Sequence, residues 1–260
     1  MPRSAGYVEI QALERIAERL RPLKRRTYEL MRVAPGARVL DVGCGPGLDT
    51  VELAVLVGPS GAVAGVDLDQ EMLVAADARA RAAGVGDRVS HRAGSATDLP
   101  FATGAFDACR AERLFQVLPR EVDPQRVTAE LARVTGSAGW VVAADADWGA
   151  ASTDTPETAT EATLRRYFAE RRRPNGYAGR QLYRLFRRQG LLDVEVETRT
   201  THYRTADVGP FEPTTVRAAV ADGVLPEDAA RRWLAWVEDA SAEGVLAVSV
   251  PMVVVAGRTR

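Results

Sequence analysis

The 260-residue chain is 46% hydrophobic, which supplies one sizeable core and suits a single elaborated domain. A formal net charge of -1, with no basic stripe, argues against nucleic acid or an anionic membrane surface as the main partner. No apolar run approaches the ~20 residues that span a bilayer, Met1-Pro2-Arg3-Ser4 lacks a signal-peptide apolar core, and two cysteines (Cys44, Cys109) make no disulfide framework, so a reduced, cytoplasmic protein is expected.

In chain order, residues 7–33 carry apolar positions at helical spacing, with Pro22 marking a break between two helices. A buried strand is expected over 38–42, followed by the turn Gly43-Cys44-Gly45-Pro46-Gly47 and a helix to Val57. A second strand spans 62–67 and ends in Asp67; the next helix runs from Asp69 to about Ala83, closed by Gly84 and Gly86. Further strands are expected at 89–93, 106–110 and 140–144, with a helix over 125–134. This alternation implies a parallel sheet with helices on both faces. Beyond it, the pattern predicts a helix over 157–172, another around Leu182 to Phe186 closed by Gly190, a strand at 194–196, a helical region over 213–240 and a closing strand over 248–256.

The turn after the first strand narrows the chemistry. A dinucleotide site would show G-x-G-x-x-G, whereas this chain reads D-x-G-x-G-x-G from Asp41 to Gly47. A carboxylate ending the second strand can accept from both hydroxyls of a ribose, and Asp41 suits an ammonium group or a network that holds the loop. An acid on each side fits a nucleoside carrying an amino acid and no phosphates. With His91 and His202 the only histidines, no metal site is expected.

These residues resemble the class I S-adenosylmethionine-dependent methyltransferases, on the branch of quinone-biosynthesis and natural-product enzymes. The resemblance implies an α/β, doubly wound, seven-stranded, mostly parallel sheet of order 3-2-1-4-5-7-6, its last strand antiparallel. Residues 1–260 then form one methyltransferase domain: N-terminal helices over the cofactor pocket (1–34), a cofactor-binding core (35–148) and cap insertions (149–178 and 200–245). Tyr7 and Arg26 are the N-terminal candidates for facing the cofactor, against ordinary helix packing.

S-adenosylmethionine is the implied cofactor and S-adenosylhomocysteine its by-product. Asp41, Gly43, Cys44, Gly45 and Gly47 match the first motif, Asp67 the ribose acid, and Leu68 and Met72 the adenine flank. In Gly94-Ser95-Ala96-Thr97-Asp98-Leu99-Pro100-Phe101, Ser95 replaces the aspartate of relatives, and Ala96 offers a backbone N–H to the ring. The backbone at Arg110 and Ala111 is expected under the methionine portion. Gln116 stands where relatives carry a second histidine; it can orient a hydroxyl or water but cannot act as a useful base.

Asp145, Asp147 and Trp148 sit at the carboxyl end of the fifth strand, where open parallel sheets bind ligands. Gln116, His202 and Asp147 are therefore the catalytic candidates. Glu112 and Arg113 are expected to pair with each other, against lining the site; Arg171-Arg172-Arg173 to form a solvated helix face, against recognising an acidic substrate group; and His91 to be structural. The implied reaction is methyl transfer to an O, N or C nucleophile of a small, partly apolar secondary metabolite, with a homodimer allowed. The alternatives are a non-methylating enzyme of the same fold (cyclisation, decarboxylation or hydroxylation) and a non-catalytic binding module.

Overall fold

The computed structural model describes residues 9–260, so Tyr7 lies outside the described residues. Two short helices, α1 (Ile10–Arg19) and α2 (Arg21–Leu30), precede the sheet, and Pro22 sits in the first turn of α2, where its missing N–H goes unused. The core then alternates β1 (Arg38–Val42), α3 (Leu48–Val57), β2 (Ala62–Asp67), α4 (Gln70–Ala82), β3 (Val89–Ala93), β4 (Phe106–Glu112), α5 (Pro124–Val134) and β5 (Thr135–Ala146). Asp69 and Asp123 cap α4 and α5 through their side chains, each accepting a backbone N–H from two residues ahead.

The remainder is β6 (Ser152–Thr153), α6 (Thr158–Tyr167), α7 (Ala178–Arg188), β7 (Leu192–Tyr203), α8 (Pro213–Ala221), α9 (Glu227–Ala242) and β8 (Val248–Arg258). The sheet order is β3-β2-β1-β4-β5-β8, with β7 on the far edge of β8. β1, β2, β3, β4 and β5 pair in parallel, while β8 runs antiparallel to β5 and β7. This is the expected topology with an added strand: β6, only two residues, continues the β5 edge against Val248 and Ser249.

Successive strand residues feed opposite helical layers. Val39, Ala108, Val142 and Val254 pack with Leu53 and Val57 of α3 and with Leu164, Phe211 and Trp233 of the insertions. Leu40, Cys109, Val141 and Val255 pack with Val127 and Leu131 of α5 and with Leu182 and Phe186 of α7.

Several expected boundaries move, among them that of β5, which spans Thr135–Ala146 rather than 140–144. The strand expected at 194–196 is the twelve-residue β7, whose Glu195, Glu197 and Arg199 make it look like a loop. β7 is an edge strand, and charge on an edge discourages further pairing. The helix expected over 157–172 divides into α6 and a π-helical turn, Phe168–Arg172. The region 213–240 divides at Gly223 and Pro226 into α8 and α9.

Candidate functional site

The carboxyl ends of β1, β2 and β4 open onto a cavity of about 520 Å³, within the usual size range of small-molecule sites. The glycine turn forms one wall. Gly43, Gly45 and Gly47 all adopt positive φ (74°, 51° and 76°), where an L side chain costs roughly 1–2 kcal/mol. A Cβ on Gly47 would lie 2.8 Å from that of Ala76, so this glycine lets α4 pack against the turn. A Cβ on Gly45 would meet no protein atom within 4 Å, and Gly45 lines the cavity. Its bare face is therefore open to a ligand rather than filled by the protein.

Asp67 ties this wall together. Its Oδ2 accepts from the Gly45 N–H at 2.8 Å and its Oδ1 from the Asp69 N–H at 3.0 Å. Each carboxylate oxygen keeps a second lone pair, so Asp67 can hold the turn and still accept from a ligand. Met72, Leu68, Ser95 and Ala96 line the same cavity. The Ser95 hydroxyl is bonded within its own turn, 2.8 Å from Thr97 Oγ1 and accepting from the Thr97 N–H at 3.2 Å.

Behind the turn lies a charged cluster that sequence reading did not assemble. Arg110 and Asp41 are buried and paired at 2.9 Å; Arg110 also reaches Asp49 at 3.2 Å and pairs with Glu112. Lys24, the sole lysine, reaches Asp49 at 2.7 Å and Glu112 at 2.8 Å, and the Tyr28 hydroxyl donates to Asp49. Glu112 thus pairs with Arg110 and Lys24, not with the expected Arg113. Three carboxylates face two cations.

Burial would lower the Arg110 and Lys24 pKa values, but the surrounding carboxylates hold both above their ordinary values. Burial, opposed by Arg110, pushes Asp41 up to about 7. Burial acts the same way on Asp49, yet Arg110 and Lys24 outweigh it and hold that carboxyl below its usual range. Lys24, Asp49 and Glu112 line the cavity, whereas Asp41, Gly47, Arg110 and Ala111 do not and form the layer beneath it. The available signal was positional: Asp49 falls in the first turn of the helix that follows the glycines.

The residues after β4 and Arg173 also line the cavity: Arg113, Leu114, Gln116, Val117 and Leu118, with Leu114 packed against Gly43 of the turn. The Gln116 N–H donates to Asp145 Oδ2 at 3.2 Å, and the Gln116 carbonyl accepts from Asn175 N–H at 3.3 Å. Its Oε1 accepts from Trp148 Nε1 at 2.7 Å; an indole N–H can only donate, so the amide nitrogen of Gln116 is the group left for the cavity. Asp145 is wholly buried, and burial raises its carboxyl to about 7.

The other two catalytic candidates are placed elsewhere. Asp147 bonds Arg180 Nε at 2.7 Å and does not line the cavity. His202 lies within β7 rather than past it, exposed, with Nδ1 3.0 Å from Ser249 Oγ, and does not line the cavity. Arg26 pairs with Glu197 and Glu29 and also stays outside the cavity. His91 bridges Thr50 Oγ1 at 2.9 Å and Asp77 Oδ1 at 2.7 Å, a structural role. The arginine run is not uniformly solvated: Arg171 and Arg172 are exposed, but Arg173 turns into the cavity.

Known proteins resemble this chain in sequence and fold. Residues 39–139 match a family model described as a methyltransferase domain. The chain is 33% identical over 237 residues to an uncharacterized 37.1 kDa protein in transposon TN4556 of Streptomyces fradiae, covering 89% of this chain and 67% of the relative. It is 38% identical over 117 residues to nocamycin O-methyltransferase of Saccharothrix syringae, covering 45% of this chain and 40% of that enzyme. The chain spans about half or less of the named methyltransferases it matches. Geranyl diphosphate C-methyltransferase from Streptomyces coelicolor has the same fold, at a TM-score of 0.57 and 18% identity over 92% of this chain and 77% of that one. The chain belongs to the class I S-adenosylmethionine-dependent methyltransferase family.

Proposed function

We propose that this chain transfers a methyl group from S-adenosylmethionine to an oxygen, nitrogen or carbon nucleophile of a small, partly apolar metabolite. The observation that carries the reading is one cavity lined both by the glycine turn with Asp67 and by Gln116 among Leu114, Val117 and Leu118. The cofactor-side residues fit that molecule. The bare face of Gly45 admits its body, Asp67 accepts from the sugar hydroxyls, and Leu68, Met72 and Ala96 flank the base. The surplus carboxylate of the Arg110 cluster suits its cationic ammonium and sulfonium groups. When bound, S-adenosylmethionine supplies a methyl group made electrophilic by the adjacent sulfonium.

The chain's contribution is to hold a nucleophile in line and exclude water, which accounts for ~7–11 kcal/mol of barrier reduction in well-oriented systems. Among the described residues no histidine lines the cavity, and its lysine and carboxylates (Lys24, Asp49, Asp67, Asp69, Glu112) are engaged in ion pairs or backbone hydrogen bonds. That favours an acceptor already acidic, such as a phenol, an enol or a stabilised carbanion, over an aliphatic hydroxyl. Gln116 donates from its amide nitrogen to orient it. Exchanging Gln116 for glutamate keeps an acceptor for Trp148 but loses that donor. We expect kcat to fall at least ~10-fold while the affinity for S-adenosylhomocysteine holds, as calorimetry and steady-state rates would show. Unchanged kcat would remove Gln116 from the mechanism.

The charge imbalance gives a pH signature. Asp41 has a folded pKa near 7, above its ordinary 3.8, so its stabilising protonation is complete below about pH 4 and is lost as pH rises through about 7. A cationic ligand favours the ionised carboxylate. Binding S-adenosylmethionine should therefore release a proton and tighten severalfold between about pH 6 and 8, a slope that Asp41→Asn should flatten. Calorimetry in buffers of different ionisation enthalpy reads the proton directly; no proton release at pH 6.5 would contradict the assignment.

The reaction itself is tested by incubating the protein with methyl-labelled S-adenosylmethionine and a panel of phenolic and enolic acceptors. Label in a product supports methyl transfer. Conversion of an acceptor without label would assign the chain to non-methylating chemistry on the same fold.

A further inference from the structure

Two arginines, Arg113 and Arg173, line the cavity, and neither forms an ion pair with a described carboxylate. Arg113 follows Glu112 at the end of β4 with φ at 56°, a left-handed conformation that a bulky residue adopts only under constraint. Its N–H donates to the Ala144 carbonyl at 2.8 Å, which fixes the backbone while the side chain lines the cavity.

Arg173 is delivered by a different device. The π-helical turn Phe168–Arg172 closes when Arg173 N–H donates to the Phe168 carbonyl at 3.0 Å, the i+5 spacing that shifts the following side chain off the α-helical path. Gly176 locks the segment: its N–H donates to the Ala169 carbonyl at 3.2 Å, and a Cβ there would come within 2.3 Å of Ala169. The Arg173 guanidinium lies over Trp148 at 5.5 Å and Phe168 at 5.2 Å, which fixes its plane. Its Nε is buried and has no hydrogen-bond partner among the described residues.

A buried guanidinium N–H without an acceptor is costly, and most such groups in proteins are satisfied. Burial and then repulsion from Arg113 press down the Arg173 pKa, only partly offset by the Glu212 and Asp145 carboxylates. Neither carboxylate bonds Arg173: Asp145 accepts from the Gln116 and Ala146 N–H groups, and Glu212 from the Gly209 N–H and the Thr214 hydroxyl. Two constrained backbone segments from distant parts of the chain thus bring like charges to one wall. An oxyanion between them would satisfy Arg173 Nε and cancel the repulsion.

We propose that Arg173 and Arg113 form an anion-binding pole, and that the acceptor substrate is an amphiphile carrying a carboxylate or phosphate that sits between them. The inference rests on the methyl-transfer reading only for naming the ligand as the acceptor. Its geometry also explains specificity: an anion held at the arginines sets how far along the apolar wall of Leu114, Val117 and Leu118 the nucleophile can sit.

The test uses the full chain saturated with S-adenosylhomocysteine and calorimetric titration with 3-phenylpropanoate, phenyl phosphate and the neutral 3-phenylpropanamide. At least one anion should bind at least ~10-fold more tightly than the amide, the size expected of one or two charge-assisted hydrogen bonds. The anion that binds identifies the group as carboxylate or phosphate. Arg173→Gln should abolish the preference, Arg173→Lys should restore part of it, and exposed Arg171→Gln should leave it intact. Retained S-adenosylhomocysteine binding shows that each variant is folded. Equal binding of anions and amide by the unmodified protein, or no binding of either anion at millimolar concentration, overturns the proposal. Failure of S-adenosylhomocysteine to bind would instead strike the cofactor reading, and the anion preference can then be read on the protein alone.

Discussion

Asp67→Ala should weaken S-adenosylhomocysteine binding at least ~100-fold. A carboxylate accepting from two ribose hydroxyls makes two charge-assisted hydrogen bonds, each worth about 1.5–3 kcal/mol. The substitution also frees the Gly45 and Asp69 N–H groups, which Asp67 holds at 2.8 and 3.0 Å. Part of the loss would then come from a slackened turn rather than from missing contacts. Asp67→Asn separates the two effects, since its amide oxygen can still accept from Gly45. If turn anchoring dominates, the asparagine variant keeps most of the affinity; if sugar recognition dominates, it loses nearly as much as alanine. Titration calorimetry decides between these outcomes, and an alanine variant that binds as tightly as the parent would end the assignment of Asp67 to the cofactor.

The second large effect is on stability. Arg110 is 1% exposed and is the central cation for Asp41, Asp49 and Glu112, with Thr27 Oγ1 a further partner at 3.3 Å. Arg110→Met keeps much of the volume but leaves three buried carboxylates facing Lys24 alone. Removing one partner from a buried ionic network typically destabilises by about 3–5 kcal/mol, a large part of the 5–15 kcal/mol that holds a domain together. Urea denaturation at pH 7 would show it. The unpaired acids would have raised folded pKa values, so the deficit should shrink as pH falls toward 5 and the acids take up protons. Adding Asp41→Asn should recover a substantial fraction, because it removes one of the stranded charges. A loss under about 1 kcal/mol, or strict additivity of the two changes, would show that the cluster does not act as a unit.

How much of this was legible in the chain depends on range. The glycine turn, the strand ending in Asp67 and the alternating core are written in local spacing, because backbone freedom and periodic burial act over a few residues. β7 was harder to read, since an edge strand buries one face weakly and its alternating charges mimic a loop. Gln116 was singled out from the sequence and lines the cavity, but its orientation was not legible, because Trp148 dictates which end of the amide faces the cavity. His202 and Asp147 show the opposite failure. Being near a strand end in sequence does not say which way a side chain points, and the partners Ser249 and Arg180 decide that.

The sequence by itself determined the alternating strands and helices and the glycine turn, since these rest on short motifs and hydrophobic periodicity, and through the resemblance those motifs carry it pointed to the family and its sheet order. Only the tertiary structure decided the chemistry of the cavity lining. Arg110, Asp41, Asp49 and Lys24 come from four separate elements, and Arg113 and Arg173 lie sixty residues apart. Electrostatic interactions fall off with distance in space, not along the chain, so neither the surplus carboxylate nor the paired arginines could be counted until the elements were packed.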